Sequence, residues 1–344
     1  MDILSAITGK DLLDFSQNLS ITRSYDGDTE FPDVKTQHLE AEYYRLADSL
    51  QLPTAAFVHA LDTEAHIGSR PTLEKVTVEK LMIKEKINQT ERIQLLMDRG
   101  VTGTQDLIAY VFDDARRLAE SVKTRTEVAK MEVLGTGRMT IKENGLNMVL
   151  DYKVPDESYF TLDWDDPDHD ILADIQTIVD HAREIGKNPV RAKTSSAIVM
   201  KMRKNTAIQK AIGGIYMQGV MPTLTQINAL MMENYGFIIT INDARYAYEK
   251  ADGTKASERY FPADKFVLYT TGQRGSVGTG LWGVTPEELA AGPWTAKSAK
   301  QFVTIAQWST PDPVAVWTKA SGLFIPVLPD NQGLFIATIA SGNP

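Results

Sequence analysis

The stretch that most resembles a chemical site is Gly278-Thr279-Gly280-Leu281-Trp282-Gly283, whose glycines fall at the spacing of a dinucleotide-binding loop. In such a loop the absent side chains let backbone N–H groups approach a pyrophosphate at the start of a long helix, within a βαβ unit. Here Val284-Thr285-Pro286-Glu287-Glu288 opens only a short helix near the end of the chain, so a glycine-rich surface loop is expected. Asp163, Asp165, Asp166, Asp168 and Asp170, with His169, offer carboxylate oxygens to a hard cation. Read as an EF-hand from Asp166, however, the glycine position holds Ile171 and the final glutamate position holds Thr177. Capping of the helix that follows accounts for the acids.

The remaining candidates fail on spacing. His38, His59, His66, His169 and His181 show no HExxH pattern, and without cysteine they imply no zinc site. Arg274-Gly275-Ser276-Val277-Gly278 has arginine where a nucleophile elbow needs its first glycine. Lys80, Lys84 and Lys86 are interrupted by Glu79 and Glu85 and have no aromatic platform, so a charged intersubunit or solvated face is expected there, not a nucleic-acid groove. No catalytic set, cofactor or metal is expected.

Composition narrows the class further. A chain of 344 residues, 43% hydrophobic and 24% charged, has enough apolar mass to bury a core. A net charge of −9 argues against a protein whose main task is to neutralise phosphates. The absence of cysteine leaves packing and association to supply stability, and fits a reducing compartment. Neither a secretion signal nor a membrane-spanning helix is expected.

Positioning elements follow from periodicity. Residues 1–52 are polar and turn-rich and predict an arm with little core of its own, one that needs a partner surface. Residues 53–88 alternate around Gly68-Ser69-Arg70-Pro71 and predict a long two-stranded excursion. A possible capping box at Thr102-Gly103-Thr104-Gln105 opens a long helix over about Asp106 to Leu134. Leu107, Ile108, Val111, Phe112, Ala115, Leu118, Ala119 and Val122 form its apolar stripe, with Arg116, Arg117, Glu120 and Lys123 on the other side. The stripe continues more weakly through Ala129 and Val133, and Gly135 and Gly137 end the helix.

Asn144-Gly145 predicts a type I′ hairpin turn, with Leu146, Met148, Leu150, Tyr152 and Val154 on one face. Helices through Ile171 to Ile185 and Leu224 to Met231, with a strand over Phe237 to Ile241, predict an α+β domain. A turn at Asp252-Gly253 is expected to join a strand near Tyr246 to the strand Phe266 to Tyr269, and the section from Phe302 to Ile339 is strand-like.

These segments, in this order, resemble the lambda-type capsid E family of tailed-bacteriophage major capsid proteins. The likeness is carried by Arg125-Thr126-Glu127 through Leu134-Gly135-Thr136-Gly137-Arg138 to Asn144-Gly145. It continues in Tyr260-Phe261-Pro262-Ala263-Asp264-Lys265-Phe266-Val267-Leu268, in Gly280 to Glu288, and in Asp312-Pro313 through Pro326-Val327-Leu328-Pro329. The resemblance implies an α+β, HK97-like capsid fold: an N-terminal arm (1–52), an extended loop (53–88), a peripheral domain on a spine helix (89–162), an axial domain (163–297) and C-terminal strands returning to the peripheral domain (298–344).

It further implies a chain that partners itself in hexamers and pentamers, closing a head around packaged double-stranded DNA. Scaffold, portal and decoration proteins are possible partners; membranes are not. Arg70, Lys84, Glu85 and Lys86 are the expected subunit contacts. Two rivals remain at this stage: a compartment shell of the same fold around protein cargo, and a nucleotide-dependent enzyme resting on the Gly278–Gly283 motif.

Overall fold

The computed structural model describes residues 23–46, 73–89, 104–143, 145–214, 220–250, 252–272, 275–289, 296–300, 302–312 and 314–340. In chain order the elements are α1 (Gly27–Glu30), β1 (Asp33–Lys35), β2 (Glu40–Leu46), β3 (Leu73–Glu79), β4 (Leu81–Gln89), α2 (Thr104–Thr136), β5 (Arg138–Glu143), β6 (Leu146–Asp151), β7 (Tyr159–Asp163) and α3 (Ile171–Glu184). There follow β8 (Arg191–Thr194), α4 (Ser196–Lys204), α5 (Thr206–Gly213), α6 (Leu224–Tyr235), β9 (Ile238–Ile241), β10 (Arg245–Glu249), β11 (Lys255–Arg259) and β12 (Lys265–Tyr269). The chain closes with β13 (Thr279–Gly283), α7 (Pro286–Leu289), β14 (Ala296–Lys300), β15 (Val303–Pro311), β16 (Val314–Val327) and β17 (Leu334–Ala340). This is the α+β class read from the sequence.

Helix α2 runs for 33 residues, about 50 Å at the helical rise. Its expected stop holds: Gly137 has a φ of +69°, and its N–H donates to the Val133 carbonyl at 2.8 Å. A Cβ on Gly137 would lie 2.6 Å from the Tyr159 hydroxyl, so both conformation and space require glycine. The expected cap at Thr102 lies outside the described residues.

The chain divides into two compact units. The first comprises Met1–Ala41, Thr77–Lys130 and Thr279–Val327. Its sheet has the order β1-β13-β16-β15-β14, with β4 also paired to β16. The β1–β13 pairing is parallel and the others are antiparallel. Ala115, Leu118, Ala119 and Val122 of α2 are buried in this unit, as are Trp282, Phe324, Leu323, Val303 and Ile305 of the sheet. Gly322 permits close approach between them, because a Cβ there would lie 2.7 Å from Trp282 and 3.1 Å from Val122.

The second unit comprises Glu42–Val76, Met131–Gly278 and Leu328–Pro344. Its sheet has the order β7-β17-β12-β8-β9. Ile171, Ile175, Ile178 and Val179 of α3 pack in one core with Trp164, Ala192, Met202, Ile208, Ile227, Phe266, Leu268, Phe335 and Ile339. Caps fix the helix starts: Asp170 accepts from Ala173 N–H at 3.1 Å, Ser195 and Asn205 cap α4 and α5, and Thr223 with Gln226 completes a capping box on α6. The unit boundaries differ from those drawn on the sequence, since 279–297 fall in the first unit while 131–162 and 328–344 fall in the second.

Three sequence readings change. The Asp252-Gly253 turn leads from β10 into β11, which pairs with it from Arg245↔Arg259 to Glu249↔Lys255, and not into β12. The run from Ser196 to Gly213, unassigned in the sequence reading, forms α4 and α5. Most consequentially, Thr279–Gly283 is a strand and not a surface loop, with Gly280, Trp282 and Gly283 buried.

Candidate functional site

Strand β4 carries three of the four residues expected at subunit contacts; the fourth, Arg70, lies outside the described residues. The strand lies antiparallel along β16 from Leu81↔Phe324 to Gln89↔Val316. Alternation sends its charged residues to opposite faces. Glu85 accepts from the Ser121 hydroxyl of α2. Lys84 and Lys86 share the other face with their register partners Ser321 and Lys319.

Two lysines opposed across a ladder repel unless each is compensated. Lys319 pairs with Glu287, whose other oxygen accepts from Ser321 Oγ at 3.1 Å. Burial alone would raise the Glu287 pKa, but these partners hold it below the usual carboxylate range. Lys86 places its ammonium 4.3 Å from the centroid of the Trp317 ring, which stacks on Trp308 at 6.2 Å. Lys84 is exposed and makes no ion pair among the described residues.

At the start of β4 the expected solvated lysine run is interrupted. Lys80 is 2% exposed, and its ammonium donates to Thr36 Oγ1 at 2.8 Å, to Glu40 O at 3.4 Å and to His38 O. Burial pushes its pKa below the usual lysine value.

The N-terminal segment finds its surface within its own unit. Phe31 is fully buried, β1 pairs with β13, and Lys35 meets Glu288 at 2.6 Å. The rest of the docking is polar and lies on α2. Tyr25 Oη and Thr124 Oγ1 are 3.0 Å apart, and Gly27 N–H donates to both Glu127 oxygens at 3.0 Å. Lys130, fully buried, donates to Asp28 at 2.7 Å and Asp33 at 2.8 Å, and Lys123 donates to the other Asp33 oxygen.

Burial would raise the Asp33 pKa, yet Lys130 and Lys123 hold it below the carboxylate range. Glu127 goes the other way. Burial, only partly offset by Gly27 N–H and Lys130, pushes it up to about 7.

Lys123 was expected on the side of α2 away from the apolar stripe, an expectation its burial corrects; residues 1–52 were expected to have little core of their own and to need a partner surface. The apolar stripe of α2 weakens after Val122 because buried Thr126, Glu127 and Lys130 take its places. That interruption was the available signal, and it becomes interpretable only once the acids of 26–33 are brought opposite. The glycines of the false dinucleotide motif belong to the same arrangement. A Cβ on Gly280 would lie 2.7 Å from Asp33 Oδ1 and 3.1 Å from the Lys130 side chain, and one on Gly283 would lie 2.5 Å from Leu323.

In the second unit the acidic cluster is committed to local structure. Asp163 and Asp166 accept from the N–H groups of Asp165 and Asp168, Asp165 pairs with Lys201 at 2.6 Å, and Asp170 caps α3. Among the described residues, no three His, Asp or Glu side chains converge as a metal site would require. Hairpin β5–β6 has the expected pairing, from Arg138↔Asp151 to Glu143↔Leu146, and Gly145 has a φ of +81°. Tyr152 and Val154 beyond it are buried, whereas Leu146, Met148 and Val149 are exposed. No described helix is long and apolar enough to cross a membrane.

A long helix beside a sheet of β4, β15 and β16, with a second sheet-and-helix unit, is the HK97-like fold of phage capsid proteins. The putative capsid protein of an Escherichia coli CFT073 prophage superposes with a TM-score of 0.58 at 16% identity, covering 97% of this chain and 99% of that one. A phage-related protein from Bordetella bronchiseptica RB50 gives 0.57 at 11% identity, covering 95% of each chain. The mature capsid subunit of bacteriophage PhiM1 gives 0.52 at 10% identity, covering 94% and 90%. No curated protein sequence matches the chain.

Residues 48–339 match the family described as phage major capsid protein E, and the chain belongs to that family. It is a structural component of a phage capsid that associates with copies of itself.

Proposed function

We propose that the chain forms hexamers and pentamers that close into an icosahedral head around double-stranded DNA, without catalysing a reaction. Membership of the capsid family over residues 48–339 carries this reading. Heterologous contacts repeated about a rotation axis generate rings, and many modest contacts between rings hold a shell through effective concentration. The net charge of −9 fits a wall that encloses DNA without gripping it.

In this reading the first unit, with α2 and its six-stranded sheet, supplies the peripheral part, and the helix-covered sheet of the second supplies the axial part. Residues 53–88 are the extended loop, with Arg70, Lys84, Glu85 and Lys86 at or near subunit contacts. Assembly takes place in the host cytoplasm, with scaffold, portal and decoration proteins as further partners.

Negative-stain electron microscopy with light scattering of the overexpressed chain tests the proposal. Uniform hollow particles, or free hexamers and pentamers, are expected. A species that stays monomeric or dimeric after co-expression with a candidate scaffold overturns it. Particles from infected cells that hold protein cargo and no DNA would favour a compartment shell.

A further inference from the structure

The second unit contains two hairpins of similar build and opposite surface. In β10–β11 the exposed positions are Arg245, Ala247, Tyr248, Glu249, Lys255, Ser257 and Glu258, a mostly polar surface that water solvates well. In β5–β6 the exposed positions include Leu146 at 60%, Val149 at 55% and Met148 at 37%. The register fixes how these side chains are distributed. Met148 lies opposite Ile141, Leu146 opposite Glu143, and Val149 opposite Thr140. One face therefore carries Met139, Leu150, Ile141, Met148 and Leu146 with Glu143 at its outer end, while Val149 projects from the reverse face beside Thr140.

A two-stranded sheet is marginal alone, and this one is anchored where Met139, Ile141 and Tyr152 are buried and where Thr140 N–H donates to Glu132 at 2.9 Å. Its outer half exposes Leu146 and Met148 on one face and Val149 on the other, on a sheet of two strands, apolar side chains that natural proteins tend to cover.

We propose that the outer half of the β5–β6 hairpin is a contact through which one copy of the chain seats on another. The inference rests on the shell reading above and adds a specific surface to it. Two observations select a second copy as the occupant. The patch is built into every chain, so its cover must be present in equal number, which a self-associating chain supplies. In addition, the two strands are electrically balanced, Arg138 and Lys142 against Glu143 and Asp151, in a chain of net charge −9. A neutral, apolar element can approach another acidic copy without the like-charge repulsion that most of this surface would meet.

The experiment compares the full-length wild type with a Leu146→Glu/Val149→Glu variant by light scattering and microscopy, using circular dichroism to monitor folding. Loss of the particle peak with unchanged secondary structure and thermal midpoint is expected. Because the chain has no cysteine, Asn147→Cys carrying a benzophenone maleimide gives an independent readout even if the double variant folds poorly. Irradiated particles should give a covalent dimer band that dissociated chains do not. Wild-type particles together with a double variant that assembles equally well, or a particle cross-link confined within single chains, overturn the hairpin contact and leave the shell reading intact. A wild type that never assembles overturns both.

Discussion

Lys130 and Asp33 meet at 2.8 Å with the lysine side chain fully buried, so the segment bearing β1 is held on α2 by a largely buried ion pair. Lys123 shares the same carboxylate, and Asp28 shares the same ammonium. Such a cluster adds little net stability over an apolar equivalent, but removing one member leaves its partners charged and buried.

Asp33→Ala should therefore destabilise the unassembled chain by roughly 3–5 kcal/mol. Asp33→Asn, which keeps the shape and loses the charge, should also be costly. Lys130→Met should cost less than either, because Asp33 retains Lys123. Chemical denaturation of the dissociated chain measures all three, and equal losses from Asp33→Ala and Lys130→Met would contradict the shared-carboxylate arrangement.

Glu127 gives the N-terminal contact a pH dependence. Its pKa is raised from 4.5 to about 7, so the folded chain binds the proton more tightly than the unfolded one. This contribution is fully present below about 4.5 and is lost as pH rises to about 7, a span worth about 3 kcal/mol. Asp33, held below its ordinary value, acts oppositely, and its contribution is lost only as pH falls below the ordinary carboxylate range. Glu127→Gln should flatten the stability profile between pH 4.5 and 7 while keeping an acceptor for Gly27 N–H. An unchanged slope in that variant would show that another group carries the effect.

Gly322→Ala forces a methyl group against Trp282 and Val122, an overpacking expected to cost about 1–3 kcal/mol. Because Trp282 also stacks on Phe302 at 5.6 Å and packs against Phe324 at 4.9 Å, its indole environment should change with it. Near-ultraviolet circular dichroism, read beside the thermal midpoint, detects both. A variant with native spectra and midpoint would mean that the helix withdraws from the sheet at no cost.

Lys84→Glu with Lys86→Glu tests the β4 face. The free chain should lose no more than about 1 kcal/mol, the scale of one exposed cation–π contact and surface electrostatics. Assembly yield, by contrast, should collapse if this face meets a neighbouring copy. Normal particles from the doubly reversed chain would return β4 to the status of a solvated edge.

The parts of this fold that were legible in the sequence are those fixed by short-range physics. The end of α2 at Gly137 and the Gly145 turn depend on a positive φ that few residues tolerate, and the Asp170 cap on a side-chain acceptor three residues from its donor. What escaped detection depends on distant partners. Lys123 has the composition of a solvated helix face until Asp33 is placed against it. Gly280 fits a phosphate loop until Lys130 and Phe324 are found where its side chain would be. The short helices α4 and α5 lack a long apolar stripe, and their caps, Ser195 and Asn205, are ordinary residues in an unassigned run. The charges of β4 were placed on the correct element, but its division into a Glu85 face and a lysine face needed the register with β16.

The first unit also constrains when a subunit becomes complete. Its parts come from the beginning, the middle and the last quarter of the chain. Gly27 reaches a partner 100 positions downstream, and Lys35 one 253 positions downstream. A nascent chain has already made the segment bearing Asp33 and the helix bearing Lys130 while β13, β15 and β16 are still unmade, so the sheet that seats them cannot close. The ribosome thus acts as a timer: the first unit is complete only once nearly the whole polypeptide has emerged.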